Sequence, residues 1–331
     1  VGRSLLLDTV RLARFQAAAI PASFCKKIRP DQDKVHPRFL LAHLQLAWSD
    51  RRIVQWQVQS TGISNFNFEA FLDDFLIDLP PLPVQQRIAG ILSAYDELIE
   101  NSQRRIKILE SMARALYREW FVHFRFPGHE KHPRIASPLG EIPQGWSVRS
   151  VKDVANVTYG FPFASKKFNT NCIGTPVIRI RDILDASINT FTDEKADAKY
   201  HIKNGDILVG MDGDFHMCIW SSGHAFQNQR VAKFESIGEI GNYHLFLALE
   251  LPIQTWNKSI VGTTVAHLGD MHIKTIQIPW PPAKILAKAQ EILEPMSQQI
   301  IARKRQIQNL RRTRDLLLPR LLSGQIELRS A

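Results

Sequence analysis

The sequence repeats itself at a spacing of about 201 residues, so any fold must accommodate two copies of one local plan. The first copy reads Ser60-Thr61-Gly62, then Phe75-Leu76-Ile77-Asp78-Leu79-Pro80-Pro81, then a helical pattern to about Trp120. The second reads Gly262-Thr263-Thr264, then Ile276-Gln277-Ile278-Pro279-Trp280-Pro281-Pro282, then a helical pattern to about Leu321. Each copy runs polar turn, alternating strand, double proline, long helix.

The helical stretches share a phase. In the first, Leu92, Ile99, Ile106, Ala113 and Trp120 recur every seven residues, with Tyr95, Ser102, Leu109 and Leu116 as a second seam. In the second, Leu293, Ile300, Ile307 and Leu321 keep the first seam, and Met296, Leu310 and Leu317 keep the other. A two-seam heptad over about four repeats keeps one stripe turned to a partner helix. Two separate amphipathic helices would also fit, but matched phase in one chain favours mutual packing. The expected pairing is antiparallel, with Leu92, Ile99 and Ile106 facing Leu310, Ile307 and Ile300 in some register. Ser102, Arg303 and Arg314 interrupt the seams, and Pro295 is expected to kink or restart the second helix. A helix over residues 84–120 would span about 55 Å at 1.5 Å per residue.

Charge follows the same division. The net charge of +10 divides into +2 over residues 1–80, +3 over 81–140, −1 over 141–280 and +6 over 281–331. The excess therefore lies on the helices, where it forms either a solvated face or an electrostatic footprint for nucleic acid. Three scattered cysteines, Cys25, Cys172 and Cys218, form no CxxC pair. They suit a reducing cytosol, a cytoplasmic location and no zinc ribbon. No stretch approaches a membrane span, and the first residues do not read as a signal peptide.

Between the helices, residues 141–280 read as an α+β domain. Val177-Ile178-Arg179-Ile180-Arg181 alternates like a strand, as does Asp206-Ile207-Leu208-Val209 after the turn Lys203-Asn204-Gly205, and residues 243–251 read as a helix. Residues 1–80 match only the back half of this domain. Ile20-Pro21-Ala22-Ser23-Phe24-Cys25-Lys26 looks like Ala225-Phe226-Gln227-Asn228-Gln229-Arg230-Val231. Arg38-Phe39-Leu40-Leu41-Ala42-His43-Leu44 looks like His244-Leu245-Phe246-Leu247-Ala248-Leu249. Roughly 65 residues of a first domain lack a counterpart on this alignment, so a truncated first domain is expected.

These segments carry a family resemblance. Ile142-Pro143-Gln144-Gly145-Trp146-Ser147-Val148, with Val154-Ala155-Asn156-Val157 and Tyr159-Gly160, resembles the opening of a target recognition domain of type I restriction–modification specificity subunits. Leu79-Pro80-Pro81-Leu82-Pro83-Val84-Gln85-Gln86-Arg87-Ile88, continuing to Tyr117-Arg118-Glu119-Trp120-Phe121, resembles that family's central conserved helix. Leu317-Leu318-Pro319-Arg320-Leu321-Leu322-Ser323-Gly324-Gln325-Ile326 resembles the end of its distal helix. The resemblance implies an α+β fold with target recognition domains joined by long antiparallel coiled-coil helices. It divides the chain into the C-terminal part of a first recognition domain (1–80), the central helix (81–125), a linker (126–140), a second recognition domain (141–280) and the distal helix (281–331).

The resemblance further implies a non-catalytic reader of a bipartite double-stranded DNA target. Its partners would be two modification subunits and the restriction or translocase subunits, with no membrane. The chain itself would bind no cofactor: S-adenosylmethionine, ATP and Mg belong on those partners. A homodimer becomes possible if the first domain is naturally short. Base edges are read by Arg or Lys at guanine and by Asn or Gln at adenine. The candidates are Lys166, Lys167, Arg179, Arg181, Asn228, Gln229, Arg230, Thr263, Thr264 and His267. Helix packing falls to Leu92, Ile99, Ile106, Leu109, Leu293, Ile300, Ile307 and Leu310. Arg179 and Arg181 are expected on one strand face, and Lys166 and Lys167 on a loop that holds phosphates.

Catalytic readings lack their residues. Leu79-Pro80-Pro81-Leu82 and Trp280-Pro281-Pro282-Ala283 have no Asn or Asp to bind a target amine, and no phosphate-binding G-x-x-x-x-G-K-[ST] loop occurs. Asp197-Ala198-Lys199 with Asp182 has only a chance likeness to a nuclease motif, and His123, His129 and His132 lack accompanying ligands. Two alternatives stand: a fragment of a bifunctional restriction–methylation enzyme, or a coiled-coil assembly protein that binds no DNA.

Overall fold

A computed structural model describes residues 3–7, 12–13, 20–22, 25–60, 63–238, 240–259 and 267–328. The chain forms two compact units, residues 1–101 with 307–331, and residues 102–306. Two long helices, α3 (Leu82–Tyr117) and α8 (Ala283–Leu322), contribute residues to both.

The first unit is mainly helical. Helix α1 (Pro37–Ser49) starts with a proline at its first turn, where no backbone N–H is needed. Its buried residues Phe39 and Ala42 pack with Ile88 and Leu92 of α3 and with Leu318 and Leu321 of α8. The start of α3 thus meets the end of α8, and Arg314 Nη1 donates to Asp96 Oδ1 at 2.6 Å, as an antiparallel pair requires. The buried amide of Gln85 ties this junction: its Oε1 accepts from His36 N (2.9 Å), and its Nε2 donates to Lys34 O (2.9 Å) and Pro80 O (2.8 Å). A second small core joins Leu44, Ile53, Trp56 and Phe71. It involves the hairpin β1 (Gln57–Ser60) and β2 (Ile63–Phe66) and the short helix α2 (Phe68–Asp74), capped by Asn67.

The second unit is built on sheets. After α3, a π-helical turn (Arg118–Val122) leads to the hairpin β3 (Arg134–Ser137) and β4 (Gly140–Pro143). Next come β5 (Ser147–Ser150), the turn-long α4 (Val151–Val154) and β6 (Ala155–Tyr159). There follow β7 (Thr175–Ile178), α5 (Ile180–Ile183), β8 (Phe191–Thr192), β9 (His201–Ile202), β10 (Ile207–Gly210), β11 (Met217–Ile219), β12 (Ala225–Gln227) and β13 (Val231–Ser236). Helices α6 (Asn242–Ser259) and α7 (Asp270–Lys274) precede β14 (Gln277–Trp280), which pairs antiparallel with β5.

Two four-stranded sheets result, ordered β11-β10-β13-β6 and β8-β7-β12-β9. The first is antiparallel throughout; in the second, β12 runs parallel to β7. All four residues of β10 are buried, so this strand is covered on both faces rather than half-solvated. Ile178, Ile183, Ile202, Leu208, Trp220, Ala225 and Val231 form one core, and Phe163, Val177 and Phe226 another.

Two expectations are corrected and the helix register is fixed. The alternating stretch Val177–Arg181 is not one strand: β7 ends at Ile178 and the chain turns into α5. The buried Asp182 carboxylate drives this by accepting the Arg179 N–H at 3.0 Å, which caps a helix start. The antiparallel register, which the heptads leave open, is set by Leu92 packing with Leu318 and Leu321. Leu92, Ile99, Ile106, Leu293, Ile300 and Ile307 are buried, whereas Leu109 and Leu310 of the second seam are half-buried. Finally, α8 runs unbroken through Pro295. Pro295 and Glu291 are both exposed, so the carbonyl that loses its intrahelical partner faces water, while Leu293, Ser297 and Ile300 hold the helix from the buried side.

Candidate nucleic-acid interface

Most of the candidate base-reading residues come together at one end of the β11-β10-β13-β6 sheet. There Gly210, the last residue of β10, lies opposite Val231, the first of β13. Just beyond this pair, Met211 N donates to Arg230 O at 3.0 Å and Leu268 N donates to Met211 O at 2.7 Å. Three segments distant in sequence are thereby laced side by side, carrying Asp212, Arg230 and His267. Asn228 N donates to Ile178 O at 3.0 Å, which brings the start of α5, with Arg179 and Arg181, to the same end. The approach is close. A Cβ on Gly160 would lie 2.0 Å from Asn228 O, so only glycine lets the loop after β6 reach this turn.

The side chains differ in what they can do. Arg230 Nε lies 3.3 Å from Asp212 Oδ2, and His267 Nδ1 lies 2.6 Å from Asp212 Oδ1. The Asp212 side chain is recessed at 26% exposure, against 54% for the Arg230 side chain and 45% for that of His267. Gln229 and Arg181 are exposed, while Asn228 Oδ1 accepts from Gln229 N at 2.6 Å and so shapes the turn. Arg179 is committed to structure. Its Nε donates to the buried Asp182 at 3.0 Å, so it does not share a strand face with Arg181.

Lys166 and Lys167 lie on a 3-10 turn (Ser165–Lys167), with Lys167 Nζ 3.9 Å from Glu194. Among the described residues, no hydrogen bond or ion pair joins either lysine to the Arg230 group. Thr263 and Thr264 lie outside the described residues.

The segment bearing His267 is held from below. Leu268 is fully buried, and Asp270 accepts from Lys152 Nζ (2.5 Å), Lys274 Nζ (2.7 Å) and Tyr159 OH (2.8 Å). Hydrogen bonds from Lys152, then Lys274 and Tyr159, hold this carboxyl well below the usual carboxylate range. Asp212 is the residue that sequence reading missed. The only signal was its place in the run Gly210-Met211-Asp212-Gly213-Asp214, an acidic turn directly after a strand. Among the described residues no group of three or more His, Cys, Asp or Glu side chains is placed to hold a metal ion, and no helix is long and apolar enough to cross a membrane.

Comparison with known proteins agrees with this architecture. The family model for the type I restriction modification DNA specificity domain matches residues 9–111 and 143–312. The specificity subunit of the type I restriction enzyme MjaIX from Methanocaldococcus jannaschii is 26% identical over 271 residues, 78% of this chain and 62% of that protein. The EcoBI specificity subunit from Escherichia coli is 35% identical over 193 residues, 57% of this chain and 41% of that protein. The chain thus spans less than two thirds of the length of either relative. In fold, it resembles the crystal structure of a type I restriction–modification S subunit from M. genitalium, with a TM-score of 0.54 at 18% identity, covering 88% of this chain and 74% of the other. With both halves of the chain matched, it belongs to the type I restriction modification DNA specificity domain family.

Proposed function

We propose that this chain is the non-catalytic component that selects DNA sequence within a type I restriction–modification complex. The observation that carries the reading is the gathering of Arg181, Gln229, Arg230 and His267 at one sheet end, in a chain of this family. These groups offer guanidinium forks, an amide and an imidazole, the donors and acceptors that discriminate base edges in the major groove. They stand on a hydrogen-bonded sheet end, which keeps them in register with a duplex. Lys166 and Lys167, on a separate turn, suit phosphate positioning instead.

In this reading residues 141–280 are one recognition domain and residues 1–80 the C-terminal part of another, so that a full target is bipartite. The paired helices α3 and α8 are the docking surface for two modification subunits, with restriction subunits recruited in turn. S-adenosylmethionine, ATP and Mg act on those partners. A homodimer would supply a second half-site.

The test is duplex binding across single-base variants of a selected site and across salt concentrations. Arg181→Ala and Gln229→Ala each cost about 1–3 kcal/mol and relax one base position, whereas Lys167→Ala weakens all sequences alike and flattens the salt slope. Binding that is unaffected by salt and by all three substitutions would favour a coiled-coil assembly role without DNA.

A further inference from the structure

Three cation–carboxylate pairs made by the candidate lysines and arginines are not alike, and the difference assigns a role to Asp212. Arg179 gives its Nε to a carboxylate that is almost wholly buried, and its own side chain is only 22% exposed. Lys167 meets Glu194 at 3.9 Å, a loose pair between a flexible stem and a carboxylate. Arg230 alone combines an exposed guanidinium with a recessed carboxylate held at its Nε edge. Among the described residues, Asp212 is the one partner of that guanidinium, and it meets the Nε edge, so no ion pair occupies either terminal nitrogen.

We propose, resting on the DNA-reading function above, that Asp212 makes Arg230 a reader of a single guanine rather than a clamp on phosphate. Guanine presents O6 and N7 together in the major groove, and the two terminal nitrogens of an arginine match them as a fork. An unsupported arginine side chain samples many rotamers, and ordering it on a base costs that entropy. A carboxylate on Nε takes that ordering out of the binding step. The backbone beside Asp212 is itself fixed, because Met211 is hydrogen-bonded on one side to Arg230 O and on the other to Leu268 N.

Asp212 also sets what the arginine avoids. Its negative charge lies next to the guanidinium and opposes the approach of phosphate oxygens, which supply most sequence-independent affinity. The same residue therefore lowers binding to arbitrary duplex and raises discrimination at one base pair, a specificity obtained by penalising the wrong complex. His267 shares the arrangement. With its Nδ1 at 2.6 Å from Asp212, the imidazole presents Nε2 outward beside the arginine.

The experiment selects a randomised duplex library with the full chain assembled with its modification subunits, comparing wild type, Arg230→Ala, Asp212→Asn and Asp212→Glu. Melting curves confirm that each variant is folded. Wild type is expected to enrich a site with one guanine position that Arg230→Ala flattens. Asp212→Asn is expected to flatten the same position while binding a non-cognate duplex several-fold more tightly. Asp212→Glu, which retains the charge, keeps non-cognate binding low and keeps part of the preference. If Asp212→Asn preserves the guanine preference that Arg230→Ala removes, or weakens non-cognate binding, the role of Asp212 is overturned while the reading face stands. The same holds if Asp212→Glu behaves like Asp212→Asn. If Arg230→Ala leaves every position unchanged, or wild type enriches no sequence, the DNA-reading assignment fails and this inference with it.

Discussion

Helices α1 and α6 carry the same pattern into different surroundings. Phe39, Ala42 and Ala47 of α1 and Leu245, Ala248 and Ile253 of α6 are all buried at matching spacings. In the helical unit α1 is covered by other helices, through Ile88, Leu92, Leu318 and Leu321. In the sheet unit α6 lies against β13 and β11 and also receives the end of α3, where Arg114 forks onto Glu250 and His244 meets Tyr117 and Phe121 edge-on. One apolar stripe thus serves a helix cluster in one place and a sheet in the other. The sheet unit contains nearly all of the fully enclosed large side chains, among them Trp220, Phe121, Phe126 and Phe234. The helical unit relies more on a polar tie, Gln85, at the position where the repeat carries the apolar Leu286.

That contrast is sharpest at Trp220. Its ring is fully buried and its Nε1 donates to Gly223 O at 2.6 Å. Trp220→Ala should cost about 3–5 kcal/mol by the cavity it leaves. Hydrogen exchange should show lost protection in β10, β11 and β13, with that of α1 retained. Equal loss in both units would mean that they do not unfold separately.

Gln85→Leu installs the apolar choice of the other copy. The part-buried His36 N–H and the Lys34 and Pro80 carbonyls lose their partner, so denaturant unfolding should report a loss of about 1–3 kcal/mol. A neutral outcome would show that the two junctions are interchangeable and would break the comparison.

Acid should act on both units in the same direction. Burial pushes His43 down to about 4 and His244 down to about 3, against an ordinary value of 6.5. The unfolded chain takes up these protons below about pH 6.5 and the folded chain does not. The stability they carry is therefore complete above pH 6.5 and is lost as pH falls toward 4 and 3, at up to about 1.4 kcal/mol per pH unit for each ring. Thermal melts between pH 7 and 4 should show this slope, and His244→Phe should flatten it in the sheet unit alone.

The long helices and their first seams were legible because heptad period and double proline are local signals, but the strand expected over residues 75–79 does not form, while its counterpart at Gln277–Trp280 does. Residues 207–209 and 243–251 were also legible, as a strand and a helix, from pattern and turn chemistry. The end of β7 was not. Val177–Arg181 alternates as well as any strand, and only the burial of Asp182 makes a helix start there preferable. The gathering of Arg230 with His267 was half legible. Both residues could be named from their chemistry, but the carboxylate that joins them is 55 positions from His267 in the chain, and no periodicity marks it.

The way the units are drawn from the chain also sets an order of assembly. The sheet unit is one uninterrupted stretch, residues 102–306, whereas the core of the helical unit joins Phe39 and Leu92 to Leu318 and Leu321. During synthesis at roughly 5–20 residues per second, Phe39 waits on the order of tens of seconds for the residues that cover it. In that interval the sheet unit can complete most of its folding, while the apolar faces of α1 and of the first turns of α3 stay uncovered. Closing so long a loop is a late step, completed only when Leu318 and Leu321 arrive. Residues 37–49 are thus made long before the residues that cover them and are among the last of these segments to become native.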